Sequence, residues 1–337
     1  MIIKVDKRIE LMTVIQTLDN YWDNVIKMFG NGDKTLPQCK YKENVNKYFE
    51  KYKNHETVKL YNSLSKDIGD ITFFLNLALS YSNPPEFKRI ADINNHIKLS
   101  PELYPDMYDS KFPEKKFIHG LKQFYKDTDF ERFFANNKFE HKNILKDYIG
   151  INEIENNINA INNYLENDLK NYSIIVSALT MGNFGIGISA KNNIKYNYSV
   201  FSPCEYKNNT YIFGSKWWNK SILWHEIGHL TINDLTKTFI ERFDTSNKII
   251  SECFVKHFYG SIESIVNEYI IRAITLRQFE IVDKEDNITG LIQHDVEQGF
   301  YEIEKVKNYI AKYCEKDNKL LKGEKYIELM DYVIKLI

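Results

Sequence analysis

At Asn171 the chain changes its apolar spacing, and that change limits the folds open to it. From residue 7 to 170 apolar side chains recur every three or four positions, as in Ile151, Ile154, Ile158, Ile161 and Leu165, the spacing of one buried helix face. After it comes NYSIIVSALTMGNFGIGISAKNNIKYNYSVFSP, rich in β-branched and aromatic residues, with glycine-rich breaks between Gly182 and Gly187 and a turn signal at Asn192 and Asn193. Three or four short strands are expected here, the last at Thr210 to Gly214. From Ser215 the helical spacing returns and runs to the C-terminus. Helices, a small sheet and helices again, with no internal repeat, predict an α+β fold that is mostly helical. Residues 1–170 read as a mainly helical region and 171–337 as a second region, compatible with one continuous domain.

Several broad classes are excluded early. The most apolar short stretch, Ile71 to Leu79, contains Asn76 and falls far short of the ~18 residues a membrane span needs. The opening MIIKVDKRIELMTVIQTL carries Lys4, Asp6, Lys7, Arg8 and Glu10 where a signal peptide needs an uninterrupted apolar run, so a cytoplasmic location is expected. Lys plus Arg number 45 and Asp plus Glu 46, a net charge of -1, which lacks the general attraction to phosphate of a nucleic-acid binder. Cys39, Cys204, Cys253 and Cys314 lie far apart without a C-x-x-C pair and read as reduced thiols. Pro84 to Pro113 marks a long irregular connection, and the stretch beyond it places Phe117, Phe124, Phe130, Phe133 and Phe134 at core-like spacing.

The informative stretch follows the last expected strand: SKWWNKSILWHEIGHLTIND contains His225, Glu226, Gly228 and His229 in the order H-E-x-x-H. Residues four apart share a helix face, so both imidazoles can reach one metal ion. Zinc suits such a pair and, when catalytic, keeps a position open for water. Glu226, next to the first ligand, is placed to take a proton from that water and deliver it to a leaving nitrogen. Leu223, Ile227 and Leu230 give the helix an apolar stripe away from the ligands, and Ser221 is a candidate N-cap. Gly228 costs roughly 1 kcal/mol against Ala inside a helix, which points to a close neighbour.

A third ligand must come from elsewhere. The extended H-E-x-x-H-x-x-G-x-x-H form needs Gly and His where the chain has Ile232 and Leu235, so that class is excluded. The later helical stretch SIESIVNEYIIRAITLR offers Glu268 among Ile265, Ile271 and Ile274, where a carboxylate would need a cation. The competing reading is an exposed i,i+4 salt bridge from Glu268 to Arg272. Asp244 and His257 remain alternative ligands, whereas Glu263 lies on another side of the same helix.

These residues resemble a family. H-E-I-G-H followed by a Glu on a later helix is similar to the gluzincin metallopeptidases, and N-E-Y-I-I-R-A, with VDKRIELMTVIQTL, the Phe-rich stretch and Tyr259, more particularly resembles the bacterial DUF4932 domain family. The resemblance implies a zincin-like fold, a small twisted sheet preceding the H-E-x-x-H helix and a helical lower half supplying Glu268. It implies His225, His229 and Glu268 as zinc ligands and Glu226 as base, and it favours Tyr259 as oxyanion donor over His257 and Arg272, which also lie in or near the Glu268 helix. Well-known gluzincins often carry Asp four residues after the ligand Glu; this chain has Arg272. The partner that orients a ligand histidine is then open among Asp234, Asp244 and Glu263.

The expected activity is hydrolysis of a peptide or protein substrate by metal-activated water, with no nucleic acid and no membrane span involved. The strand at Thr210 to Gly214 is a candidate for pairing with an extended peptide, and Trp217, Trp218 and Trp224 for lining a cleft, with burial expected for at least two of the three. A non-catalytic binding protein on the same fold and a zinc hydrolase of a non-peptide amide are the alternatives; the intact Glu226 speaks against the first.

Overall fold

The first helix shows why charges crowd the N-terminus of this chain. In the computed structural model, which describes residues 2–21, 37–65, 72–91, 112–150, 153–166, 169, 171–190, 194–256, 259–283, 288–315 and 323–337, α1 (Lys7–Leu18) is buried almost all round. Asp6 caps it by accepting from the Arg8 backbone N–H at 3.0 Å, and the Arg8 guanidinium returns to both Asp6 oxygens while donating to the Leu79 and Tyr81 carbonyls. The pair is desolvated but fully engaged, the condition under which buried charges persist. The charged segment at the start of the sequence is therefore a core element.

The chain forms two compact units, residues 1–152 with 170–219 and residues 153–169 with 220–337. In the first, β1 (Ile2–Lys4) and α1 lead into α2 (Lys40–Phe49), α3 (Glu56–Ser65), α4 (Phe73–Leu79), α5 (Glu114–Asp127), α6 (Phe130–Asn136) and α7 (Lys138–Gly150), then β2 (Tyr172–Val176), β3 (Phe184–Ser189), β4 (Lys195–Phe201), β5 (Glu205–Lys207) and β6 (Thr210–Ile212). The Phe-rich stretch is core as expected, since Phe117, Phe124, Phe130 and Phe133 are buried; Phe134 is half-buried against His141. Much of the proline-marked connection, residues 92–111, lies outside the described residues, as do Asn192 and Asn193.

A four-stranded sheet has the order β1-β2-β4-β3, with β1, β2 and β4 parallel and β3 antiparallel to β4. Every residue of β2 is buried, as in a parallel strand covered on both faces. Edge strand β3 alternates, burying Phe184, Ile186 and Ile188. The expected glycine breaks need correction: Gly182 does turn the chain at φ +85°, but Gly185 and Gly187 lie within β3 and pair with Ser199 and Asn197. Their missing side chains fall between the buried positions, where nothing has to be packed. Strand β1 was not expected, because three residues are too few to display alternation.

β5 and β6 form a separate two-stranded sheet. The Tyr211 N–H of β6 donates to the Asp147 carboxylate at 2.8 Å, so that edge position of the expected peptide-pairing strand is already taken.

The second unit holds α8 (Ile154–Tyr164), most of α9 (Lys216–Phe239), then α10 (Glu252–Lys256), α11 (Ile262–Gln278), α12 (Thr289–Glu297), α13 (Ile303–Tyr309) and α14 (Glu324–Leu336). α11 is buried along most of its length and packs against α12, α13 and α14. Trp224 of α9 is fully buried, sits edge-on to Phe279 and donates its indole N–H to the Asn157 carbonyl of α8 at 2.8 Å. Trp217 and Trp218 are only half-buried, so one of the three tryptophans is core rather than two. Among the described residues no helix is long and apolar enough to cross a membrane.

Candidate metal centre

Two helices build the site, and each starts on a capping serine. α9 begins at Ser215, whose hydroxyl accepts from the Trp218 N–H at 3.1 Å. This corrects Ser221, which is buried within the helix interior, where no backbone N–H needs a cap. α11 begins at Ser261, which accepts from the Ser264 N–H at 3.1 Å while Ser264 returns the contact. The helices come into tight contact at Gly228: a Cβ there would lie 2.9 Å from Ile271 Cγ2. The glycine between the histidines is thus explained by Ile271, one turn beyond Glu268.

This approach brings His225, His229 and Glu268 together, the group among the described residues suited to hold a metal ion. The two Nε2 atoms face each other at 3.1 Å; Glu268 Oε1 is 3.2 Å from His229 Nε2 and Oε2 is 3.6 Å from His225 Nε2. Ligands at 2.0–2.1 Å in a tetrahedral shell stand about 3.3 Å apart, so the spacing fits one zinc-sized cation. The three side chains are 10 to 18% exposed, desolvated yet within reach of solvent. The donor chemistry fits as well. Burial pushes His225 down to about 3, keeping a neutral imidazole, while for His229 burial is outweighed by the Glu268 carboxylate, which raises it, so this ring must give up a proton to a metal before it can ligate. Burial would raise Glu268, but His225, Arg272 and His229 hold it well below the usual carboxylate range, ionised and able to ligate.

The neighbours sort the remaining candidates. Glu226 is buried beside His225 on α9, and its charge is felt at His229. Tyr259 points its hydroxyl at Glu268 Oε2, 3.4 Å away, and accepts from Arg272 at 3.0 Å. The Glu268–Arg272 pair exists, at 3.0 Å, but inside the protein rather than on a solvated face. Asp244 is exposed and bonded to Ser246, and neither it nor Glu263 joins the cluster; His257 lies outside the described residues.

Sequence reasoning missed four residues. His229 Nδ1 faces Asn233 Oδ1 at 3.2 Å, so its partner is an amide one turn along the same helix and not Asp234, Asp244 or Glu263. The i+4 position carried that signal, but only acids were considered. His294, Asp295 and Gln298, on α12 and just beyond it, are delivered by tertiary packing: Asp295 and Gln298 bind Arg272, Gln298 meets His294 at 2.6 Å, and the charge of His294 is felt at His225.

Comparison with known proteins gives one positive result. A family model described as "Domain of unknown function (DUF4932)" matches residues 1–333. No curated protein and no solved structure matches the chain.

Proposed function

The chain belongs to the DUF4932 family, and from that premise we propose that it is a zinc-dependent metallopeptidase of gluzincin type on a zincin-like fold. The observation that carries the reading is the convergence of two imidazoles and one carboxylate, from two helices, at the spacing of a tetrahedral shell. Zinc held there by His225, His229 and Glu268 would supply a water of lowered pKa and polarise a carbonyl oxygen. Glu226 takes a proton from the attacking water and returns it to the leaving nitrogen. The Tyr259 hydroxyl, held by Arg272 beside Glu268, is the group for a developing oxyanion. Three protein ligands leave the fourth position for water, as catalysis requires and a purely structural site does not.

The test pairs metal analysis with a peptide-library digest. Wild type is expected to carry about one zinc per chain and to cleave, Glu226→Gln to keep zinc and lose cleavage, and His229→Ala to lose both. Cleavage by zinc-loaded Glu226→Gln would remove the general-base role. A zinc-bearing wild type that cleaves no peptide would move the protein to the binding or non-peptide reading.

A further inference from the structure

Arg272 stands four residues after Glu268 on α11, and its guanidinium uses every edge. Nε donates to Glu268 Oε2 at 3.0 Å, Nη1 to Asp295, and Nη2 to the Tyr259 hydroxyl and Gln298 Oε1, each at 3.0 Å. One face lies over the Phe300 ring, 4.5 Å from its centre. Placing a fixed cation here poses an electrostatic problem. A guanidinium bonded to a carboxylate that must also serve a divalent cation would cancel the ligand's charge and repel the metal, and the low local dielectric magnifies both effects.

Asp295 resolves it. Its carboxylate is buried and bonded to the opposite edge of the guanidinium, so Arg272 and Asp295 together are close to neutral and Glu268 keeps its charge for the metal. The hydrogen bonds survive this cancellation. With Oε2 engaged by Arg272 and Tyr259, Oε1 is the oxygen that faces His229. Resting on the zinc-site reading above, we propose that Arg272 and Asp295 act as a charge-neutral clamp, Arg272 being a positioning residue that orients Glu268 toward the metal by one oxygen and fixes the Tyr259 hydroxyl beside it.

The clamp makes a prediction that mere structural support does not, because the two residues must act through each other. Asp295→Asn keeps an acceptor for Nη1 but exposes Glu268 and the metal to an uncompensated cation. Zinc affinity of the full-length protein, measured by competition with a chromophoric chelator, is expected to fall roughly 10- to 100-fold. In an Arg272→Met background there is no cation left to neutralise, and Asp295→Asn should then change zinc affinity by less than about twofold. Arg272→Lys, a point charge without the planar fork, should also bind zinc more weakly than wild type. Arg277→Lys serves as control: it disturbs another arginine of α11, bound to Glu280 and Glu315, and should leave zinc affinity unchanged.

Circular dichroism establishes that each variant is folded, and the equally uncharged Arg272→Gln replaces Arg272→Met as background if the latter is not. Equal loss of affinity from Asp295→Asn in both backgrounds, or no loss in either, would overturn the clamp while leaving the zinc site standing. A wild type that binds no zinc overturns the site itself.

Discussion

Glu10, on α1, is fully buried, and neither carboxylate oxygen meets a donor at hydrogen-bonding geometry among the described residues. Burial pushes its pKa up to about 7; the Ser177 and Tyr41 hydroxyls offset this only partly, and the Asp6 charge adds to it. The sign follows from proton counting. Between the ordinary 4.5 and about 7 the folded chain holds a proton that the unfolded chain releases, so this residue's contribution to stability falls as pH rises through that window. His141, held down to about 4 by burial, runs the other way, so the wild-type profile alone is ambiguous. The difference between Glu10→Gln and wild type isolates Glu10. The variant should gain about 3 kcal/mol on wild type between pH 4.5 and pH 8, read from urea unfolding at both values. A constant difference would mean that Glu10 is not held neutral in the folded chain.

At the scale of elements, the decisive contact is α9 against α11 at Gly228 and Ile271. Gly228→Ala raises helix propensity by roughly 1 kcal/mol, yet its methyl would meet a β-branched carbon close to the backbone, which cannot swing away. The helices are expected to separate by a few tenths of an ångström. Because Glu268 and the histidines sit on either side of this crossing, zinc affinity should fall even though the fold persists. Gly228→Ala with Ile271→Ala should recover most of it. Unchanged affinity in the single variant would mean the crossing does not set the ligand spacing. The same two helices account for how much of the site was legible in the sequence. His225, Glu226 and His229 follow from spacing within one helix, and Glu268 from a carboxylate amid apolar periodicity. Asp295 and Gln298 could not be read, since no local pattern states which helix will pack on α11. Ser221 was misread because its hydroxyl and the true cap, Ser215, both precede the motif, and the strand end that decides between them is a tertiary fact.

On the scale of the whole molecule, the proposed ligands and the proposed clamp belong to the unit formed by residues 153–169 and 220–337. Under the proposed zinc reading the metal would join α9 to α11, and binding to the folded state alone would stabilise it in proportion to the logarithm of metal concentration. Hydrogen exchange should therefore slow in α9, α11 and α12 on adding zinc. Slowing restricted to α9 would contradict a ligand from α11. The overall α+β texture was legible from the change at Asn171, whereas the interleaving was not: α8 joins the C-terminal helices through the Trp224 indole N–H to the Asn157 carbonyl and the Tyr164 hydroxyl to the Glu315 carboxylate, contacts that leave no periodic trace. The parallel pairing of β1 with β2, Ile3 opposite Ile174, also concerns birth on the ribosome. At about 5–20 residues per second, roughly 10 to 35 s separate synthesis of the two strands. Throughout that interval β1 has emerged without the strand it pairs with, while α1 meets its packing partners α2, α3 and α4 much sooner. Lys4, Asp6, Lys7, Arg8 and Glu10 then act as the solubilising escort of that lone strand, and of these charges Asp6, Arg8 and Glu10 end in the interior while Lys4 and Lys7 stay at its rim.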